Sequence, residues 1–386
     1  MNIVIAPDSF KGSLSAIEAS RAIEKGIRKV SKSFNVNLVP LGDGGEGTMR
    51  VLVNNTNGET RKAWVTDPND KKIKAEYGIL GDKRTCVIEM ACASGLNLVP
   101  EKELSPLEAT SYGTGELIKH ALDEGFRSFI LTIGGSATND GGAGMLQALG
   151  AKLLDDKNRE ISFGGGSLAN INEILLNNFD SRIKDSEFIV ASDVTNPLLG
   201  IDGASNVFAE QKGADHLQIE ILENNLAHWA DKVFEATNMK IHYLPGAGAA
   251  GGIGGAFQAF FPHQFRSGVD LILEYVQMEE LLENADLLIT GEGKIDEQTM
   301  NGKTAFGVAK LAHSRNVPVI VLAGATGEGI EGLYNYSVIS INSIINSPMS
   351  LEEAVRQAES LLSKTTEQIL RTFTYKYNNE NLLHEV

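Results

Sequence analysis

The feature that most constrains the fold is an alternation of strand-like and helix-like runs at both ends of the chain. NIVIA (residues 2–6) reads as a buried strand, and a helical pattern runs from Ser15 to Val30, with Ser15 and Glu18 spaced as a capping box. Further strands are expected at 35–41, 285–290, 317–325 and 335–341, and further helices at 46–55, 302–315 and 349–373. Alternation of this kind is typical of a parallel sheet.

The pattern between these ends is different. It predicts short strands and turns over 60–100, helices at 106–123 and 216–237, and strands at 128–133 and 186–192. We therefore predict an α/β protein with two different α/β domains. One is discontinuous and comprises residues 1–75 and 281–386; the other is inserted and comprises residues 76–280. The active site is expected in the cleft between them.

The composition excludes some classes of partner. Apolar residues make up 42% of the 386 residues and charged residues 22%, which is ordinary for a globular protein. The formal net charge of −16 disfavours a nucleic acid or an anionic membrane as the main partner. An anionic substrate would therefore have to be bound by a few cationic side chains, by helix N-termini and by a metal ion.

Location is predicted from the cysteines and the apolar runs. Cys86 and Cys92 have neither metal-ligand spacing nor a disulfide framework. The apolar run near the start is too short for a signal peptide, and no run approaches the length of a membrane span. We expect a cytoplasmic protein.

Six polar, glycine-containing segments follow predicted strands, where ligands bind in open parallel sheets. They are PDSFKGS, LGDGGEGT, GEGKIDEQTMNGKT, GATGEG, GGSATNDGG (the glycine loop, residues 134–142) and DVTNPLLG. Glycine lets a ligand approach backbone N–H groups closely. We expect these segments to converge on one site.

The charged residues of these segments form a mixed set of acids and lysines: Asp8, Asp43, Glu46, Asp193, Glu292 and Asp296, with Lys11, Lys294 and Lys303. Magnesium takes one or two carboxylates together with phosphate oxygens. Phosphoryl transfer needs a metal, a cation, backbone donors and a carboxylate near the hydroxyl nucleophile. Any single acid has an alternative role as an N-cap or turn residue.

The sequence lacks the motifs of several other classes of enzyme. NGKT (301–304) lacks the upstream glycine of a P-loop, since Glu297 stands there, and the HRD and DFG motifs of protein kinases are absent. GAGAAG (246–251) fits the dinucleotide pattern, but a poor strand precedes it, so a flexible cleft loop or tight domain packing is the favoured interpretation. No HExxH or GxSxG motif occurs.

Eight motifs in order resemble the bacterial type I glycerate kinase (glycerate 2-kinase) family, over Ile3 to about Leu370. They are APDSFKGSLSA, PLGDGGEGT, EMACASGL, TSYGTGELI, GGSATNDGGAGMLQALG, ASDVTNPLLG, GAAGGIGGA and GEGKIDEQTMNGKT. The resemblance implies ATP- and Mg²⁺-dependent phosphorylation of D-glycerate to 2-phosphoglycerate. It also implies a flavodoxin-like domain joined to a second α/β domain.

With this resemblance in view, we assign expected roles to individual residues. The glycine loop is expected to bind ATP phosphates through Gly134, Gly135, Ser136, Thr138, Asn139 and Gly141. Asp193 is the expected base, Lys11 the transition-state cation, and Asp8 a further catalytic or metal-binding candidate. Asp43 and Asp296 are the expected metal ligands, and the glycerate carboxylate is assigned to Ser9, Ser13 or Arg266.

Three alternatives remain open at this point. The same kinase would give 3-phosphoglycerate if it acted on the other hydroxyl group. A nicotinamide-dependent dehydrogenase would use residues 246–251, and a non-catalytic protein would close on a small acid.

Overall fold

The structure is a computed structural model that describes residues 1–301 and 303–375. Gly302, where the sequence places the start of a helix, and the tail YNNENLLHEV lie outside the described residues. Within the described part of the chain, no helix is both long and apolar enough to cross a membrane.

Strands occur along almost the whole chain. They are β1 (Asn2–Ile5), β2 (Asn35–Leu38), β3 (Glu59–Thr66), β4 (Lys72–Ile79), β5 (Thr85–Glu89), β6 (Ser128–Thr132), β7 (Lys152–Leu154), β8 (Glu173–Leu175), β9 (Glu187–Ala191), β10 (His263–Arg266), β11 (Leu287–Ile295), β12 (Val319–Thr326) and β13 (Val338–Ser343).

The α-helices alternate with these strands. They are α1 (Ala16–Val30), α2 (Thr48–Asn55), α3 (Ala91–Ser94), α4 (Tyr112–Asp123), α5 (Ala143–Ala148), α6 (Ala204–Phe208), α7 (His216–Thr237), α8 (Ile253–Phe260), α9 (Gly268–Tyr275), α10 (Met278–Glu283), α11 (Thr304–Ser314) and α12 (Leu351–Phe373). The capping box predicted for α1 is confirmed, because Ser15 and Glu18 each accept a hydrogen bond from the other's backbone N–H.

The chain divides into two compact units. The terminal unit comprises residues 1–43 and 269–386, and the central unit residues 44–268. The boundaries predicted at 75 and 280 differ from this division. Pairing explains the first difference, because β3 pairs with β4 along its full length and so belongs to the central unit. The second boundary falls after Gly268 rather than after residue 280, because residues 269–280, which include most of α9, pack with the terminal unit.

The terminal unit contains a five-stranded parallel sheet in the order β13-β12-β11-β1-β2. Counted within the unit, this is the 2-1-3-4-5 order of flavodoxin-like folds, as the family resemblance implied. Alternate strand residues such as Ile3, Ile5 and Ile289 pack against α1 and α12 to form the core of one face. The strand order reverses between β1 and β11, and ligands bind at such a switch point.

The central unit contains a six-stranded sheet in the order β10-β9-β6-β5-β4-β3. The first four strands are mutually parallel. β4 pairs with β5 in the antiparallel sense, and β3 pairs with β4 in the antiparallel sense. Phe129 and Phe188 are register partners on β6 and β9, and their stacked rings lie 4.7 Å apart. These rings and the fully buried Trp229 of α7 belong to one large core.

Two predicted elements have different limits in the structure. The helix predicted over 106–123 begins only at Tyr112, because the N–H and hydroxyl of Ser111 both donate to the buried Asp140 carboxylate. The strand predicted at 285–290 continues to Ile295, because β11 stays paired with β12 through Thr326. Glu292 and Lys294 therefore lie on a strand rather than in a loop.

Candidate active site

Four parallel strands of the central unit end in register. Glu89, Thr132, Ala191 and Arg266 are successive cross-strand partners on β5, β6, β9 and β10. The segments that follow these residues therefore leave the sheet along one edge. This edge brings together the starts of the glycine loop and of the DVTNPLLG segment, as the sequence predicted.

Glycine backbones approach one another closely at this edge. A Cβ added to Gly134 would lie 3.2 Å from the Cα of Gly45, and one added to Gly44 would lie 3.2 Å from the Cα of Gly268. Gly44 and Gly45 therefore lie directly against Gly134 of the glycine loop. In the part of the chain that the structure describes, neither the N–H of Gly134 nor that of Gly135 donates to another residue. Both donors are available to a ligand.

The polar side chains of the glycine loop point away from this exposed backbone. Ser136, Thr138 and Asn139 are buried. Ser136 Oγ accepts from Lys212 Nζ at 2.9 Å, and Asn139 Nδ2 donates to Ser205 Oγ at 3.0 Å. The side chains of these three residues therefore lie in the protein interior, while the backbone of Gly134 and Gly135 is exposed or partly exposed.

Asp140 fixes the second half of the loop. Its fully buried carboxylate accepts from the N–H groups of Ser111, Gly142 and Gly144 and from the Ser111 hydroxyl. Burial raises the pKa of Asp140, and these hydrogen bonds oppose that rise. At Gly141, φ is +64° and an added Cβ would lie 2.4 Å from Trp229 Nε1, so the position requires glycine.

The second glycine-rich segment, GAGAAG, packs against the glycine loop. A Cβ added to Gly251 would lie 2.0 Å from the Thr138 carbonyl oxygen, and one added to Gly252 would lie 2.7 Å from the Cα of Gly141. Turns rather than a strand precede it. Tight packing, one of the two interpretations favoured from the sequence, therefore accounts for these glycines.

Glu89 is a site residue that sequence reasoning missed. Its buried carboxylate accepts from Gly47 N at 2.9 Å and from Met49 N at 3.2 Å, which holds the start of α2. Burial raises the pKa of Glu89. The three residues before it (86–88) are apolar and buried, so an acid at the last position of this strand was the available signal.

Asp193 and Arg266 lie at the same edge. Asp193 follows β9, its side chain is exposed, and its Oδ2 accepts from Gly268 N at 3.4 Å. Arg266 ends β10, and its carbonyl oxygen accepts from Ser192 N. The structure thus places the expected base and one expected substrate ligand on neighbouring strands of one unit.

The terminal unit has its own polar site, at the switch point between β1 and β11. Asp8 follows β1, and its N–H donates to the Gly291 carbonyl of β11 at 2.8 Å. Its carboxylate accepts from Ser9 N at 2.5 Å and from Thr304 Oγ1 at 2.6 Å. Burial and the neighbouring charge of Asp43 raise the pKa of Asp8 to about 6.

Glu292 extends this acidic cluster. Its Oε1 accepts from Thr299 Oγ1 at 3.3 Å, and its Oε2 lies 3.7 Å from Lys303 Nζ. Burial raises the pKa of Glu292 to about 7; the charge of Lys303 opposes the rise, and Asp8 and Asp43 add to it. Three carboxylates and one lysine therefore share this corner of the sheet.

The other residues predicted for this region are less concentrated. Lys11 is exposed in a turn beside Gly293, and Ser13 Oγ donates to the Val355 carbonyl of α12 at 3.2 Å. Asp296 forms an ion pair with Lys294 at 2.9 Å. Among residues 1–301 and 303–375, no group of three or more His, Cys, Asp or Glu side chains is arranged to hold a metal ion.

Comparisons with known proteins agree on one family. The family model described as the glycerate kinase family matches residues 3–374. "Glycerate 2-kinase" of Escherichia coli (strain K12) is 46% identical over 379 residues, which is 98% of this chain and 100% of that protein. "Glycerate kinase" of Bacillus subtilis (strain 168) is 46% identical over 369 residues, which is 96% of this chain and 97% of that protein.

A solved structure has the same fold. The crystal structure described as a glycerate kinase 2 from Salmonella typhimurium LT2 is 44% identical and has a TM-score of 0.86. The match covers 98% of this chain and 99% of that chain.

Proposed function

The chain belongs to the glycerate kinase family, and from that premise we propose that it transfers the terminal phosphoryl group of ATP to the 2-hydroxyl group of D-glycerate. The products are 2-phosphoglycerate and ADP. The observation that carries this function is 46% identity to a protein named glycerate 2-kinase, over 98% of this chain and all of that protein.

ATP phosphates bind, in our proposal, to the backbone of the glycine loop. The N–H groups of Gly134 and Gly135 are available, and neither residue has a Cβ to block a phosphate. Ser136 Oγ and the Thr138 carbonyl accept from Lys212, and Asn139 Nδ2 donates to Ser205. Gly141 allows the loop to turn past Trp229. The chain has a net charge of −16, so cationic side chains are outnumbered by acidic ones. Backbone N–H groups can attract the ATP phosphates without an additional cationic side chain.

Asp193 is the proposed general base. One carboxylate oxygen accepts a hydrogen bond from Gly268 N, which orients the group while the side chain remains exposed. The carboxylate can accept the proton of the glycerate 2-hydroxyl as the phosphoryl group transfers. Arg266 ends the neighbouring strand and is the proposed partner of the glycerate carboxylate in this unit.

The acidic cluster of the terminal unit fits Mg²⁺ in its donor chemistry. Asp8 and Asp43 supply carboxylate oxygens. Burial, and then repulsion from Asp43, raise the pKa of Asp8, and a bound cation would offset both effects. Two carboxylates suffice because Mg²⁺ completes its shell with water and phosphate oxygens. When bound, Mg²⁺ neutralises the charge of the phosphates. Asp8 and Asp43 are the proposed ligands, with Asp296 a further candidate.

Lys11 is the proposed cation for the transferring group. It is exposed on a short turn in which Phe10 N donates to Leu14 O and Ser13 N to Phe10 O, so its position is set by backbone bonds. Ser9 and Ser13 remain proposed ligands of the glycerate carboxylate. Ser13 Oγ donates to the Val355 carbonyl, and Ser9 hydrogen-bonds the Asp8 carboxylate through its backbone and its side chain.

ADP release tests this function. Purified protein with ATP, Mg²⁺ and D-glycerate is expected to release ADP in a coupled assay. Omission of D-glycerate and the Asp193→Asn variant serve as controls. ADP release that does not depend on D-glycerate would overturn the proposal. We also propose a cytoplasmic location, which is supported by the two free cysteines, Cys86 and Cys92.

A further inference from the structure

We infer that Lys212 is a positioning residue whose buried side chain holds the glycine loop in the shape that leaves the N–H groups of Gly134 and Gly135 available. What the loop binds rests on the proposed function, but the holding itself does not. Neither a sequence motif nor the proposed mechanism assigns a role to this lysine.

The contacts of Lys212 span the middle of the loop. Its side chain is almost fully buried, and Nζ donates to Ser136 Oγ at 2.9 Å and to the Thr138 carbonyl at 2.7 Å. An ammonium group without partners is costly to bury, so these acceptors must stay in place. One side chain therefore fixes two loop positions that are two residues apart.

Charge in the interior supports the same conclusion. Burial lowers the pKa of Lys212 to about 7, and the negative charge of Asp140 opposes that change. Asp140 is itself held by backbone N–H groups of Gly142 and Gly144. Lys212 thus holds the first half of the glycine loop, at Ser136 and Thr138, and Asp140 holds the second half, at Gly142.

Lys212 stands on a segment that is well ordered by its own hydrogen bonds. Lys212 N donates to Ala209 O, and the turn at Gly213 (φ +95°) lets Ala214 N reach the same carbonyl. The same segment provides Ser205, which accepts from Asn139 Nδ2 at 3.0 Å. Two side chains from residues 204–212 therefore support the loop.

The loop needs such support because its backbone is unusual. Gly135, Gly141 and Gly142 all have positive φ, at +75°, +64° and +79°. A glycine-rich segment loses much entropy when it is ordered in one conformation. Without the lysine, Ser136 Oγ and Thr138 O would lose their donors, and the loop would relax.

Hydrogen exchange tests the holding directly. Lys212→Met keeps most of the length of the unbranched side chain and removes its donors. Amide exchange over residues 134–142 is expected to be at least about tenfold faster, with no change in α4. Lys240→Met, which replaces an exposed lysine of the same unit, is the control and should match the wild type. Unchanged exchange in the loop, or an equal rise in α4 that reports general loosening, would overturn the inference.

Kinetics give a second readout. Displacement of the loop is expected to raise KM for ATP about tenfold or more and to change KM for D-glycerate less than twofold. A loss of folded protein alone would lower kcat and leave both KM values unchanged, which would contradict positioning. If the wild type does not use ATP, the proposed function fails, whereas the exchange experiment still decides the role of Lys212.

If Lys212→Met does not fold, the milder variant Ser136→Ala tests the same contact. Ser136→Ala removes one acceptor and leaves the lysine in place. Exchange over residues 134–142 should then rise about threefold while α4 stays protected. Wild-type exchange in that variant would overturn the inference.

Discussion

The hydroxyl of Thr304 donates to Oδ2 of Asp8 at 2.6 Å, although 296 positions separate the two residues. Asp8 follows β1, and Thr304 is the first residue of α11. The bond therefore joins the two ends of the chain at the point where the strand order of the terminal sheet reverses. A carboxylate held there is close to Asp43 and Glu292, and the electrostatics of this cluster lead to a first prediction.

Glu292→Gln is expected to stabilise the protein at neutral and alkaline pH. Burial raises the pKa of Glu292 from 4.5 to about 7, so the unfolded chain loses this proton at lower pH than the folded one. Wild-type stability therefore falls as pH rises from about 4.5 to about 7. Above that range we expect the variant to be more stable by about 1–3 kcal/mol, and below it to be equal.

Denaturant unfolding at pH 4 and pH 8, without metal or nucleotide, measures this difference. Glu76→Gln is a control of opposite sign, because hydrogen bonds from Lys62 and Arg50 lower the pKa of Glu76. That variant should lose stability at pH 8 relative to wild type. A Glu292→Gln protein that is less stable than wild type at pH 8 would contradict the account of this cluster.

Asp193→Asn is expected to lower kcat by about 10² to 10⁴, which is the usual contribution of a general base. Asparagine keeps the shape and can still accept from Gly268 N, so folding and KM for ATP should change little. Steady-state kinetics and a thermal melt measure both. If Asp193 only oriented residues 267–268, the variant would retain nearly full activity, and the role of base would have to be abandoned.

Removal of divalent metal is expected to abolish turnover. Asp8 and Asp43 repel one another, and the phosphates of ATP add further negative charge to the reaction. Excess EDTA should therefore stop ADP release, and Mg²⁺ should restore it. An Asp43→Asn variant should need a higher Mg²⁺ concentration for half-maximal rate. Undiminished turnover in EDTA would exclude the metal from the mechanism.

Two glycines of the glycine loop should respond differently to alanine. At Gly141, the new Cβ would lie 2.4 Å from Trp229 Nε1, so Gly141→Ala should destabilise the protein by about 2–4 kcal/mol. At Gly135, φ is +75° and the nearest atom is 3.7 Å away, so Gly135→Ala should cost only about 1–2 kcal/mol.

Trp229 emission in a Trp64→Phe background reports on this packing, since the chain has two tryptophans. Gly141→Ala should shift the emission, and Gly135→Ala should not. Gly135→Ala should instead weaken ATP binding, because it places a methyl group beside an available N–H. Equal stability of the two variants would contradict the packing of the loop on Trp229.

Local patterns predicted much of the fold. The capping box at Ser15 and the strand exits at Asp8 and Asp193 depend on residues that are near in sequence. Long-range contacts were not predictable in this way. Lys212 lies 74 positions from Thr138, and no spacing rule connects them. Only the fold reveals that the side chains of the glycine loop face the interior, and that pairing with β12 extends β11 beyond Glu292.

The position of the phosphate in the product is the most direct test of the central claim. Protein, ATP, Mg²⁺ and D-glycerate are incubated, and the product is analysed by proton-coupled ³¹P NMR. We predict 2-phosphoglycerate, whose phosphorus couples to the single proton on C2. A phosphorus signal coupled to the two methylene protons of C3 would show 3-phosphoglycerate, and that result would contradict the assignment.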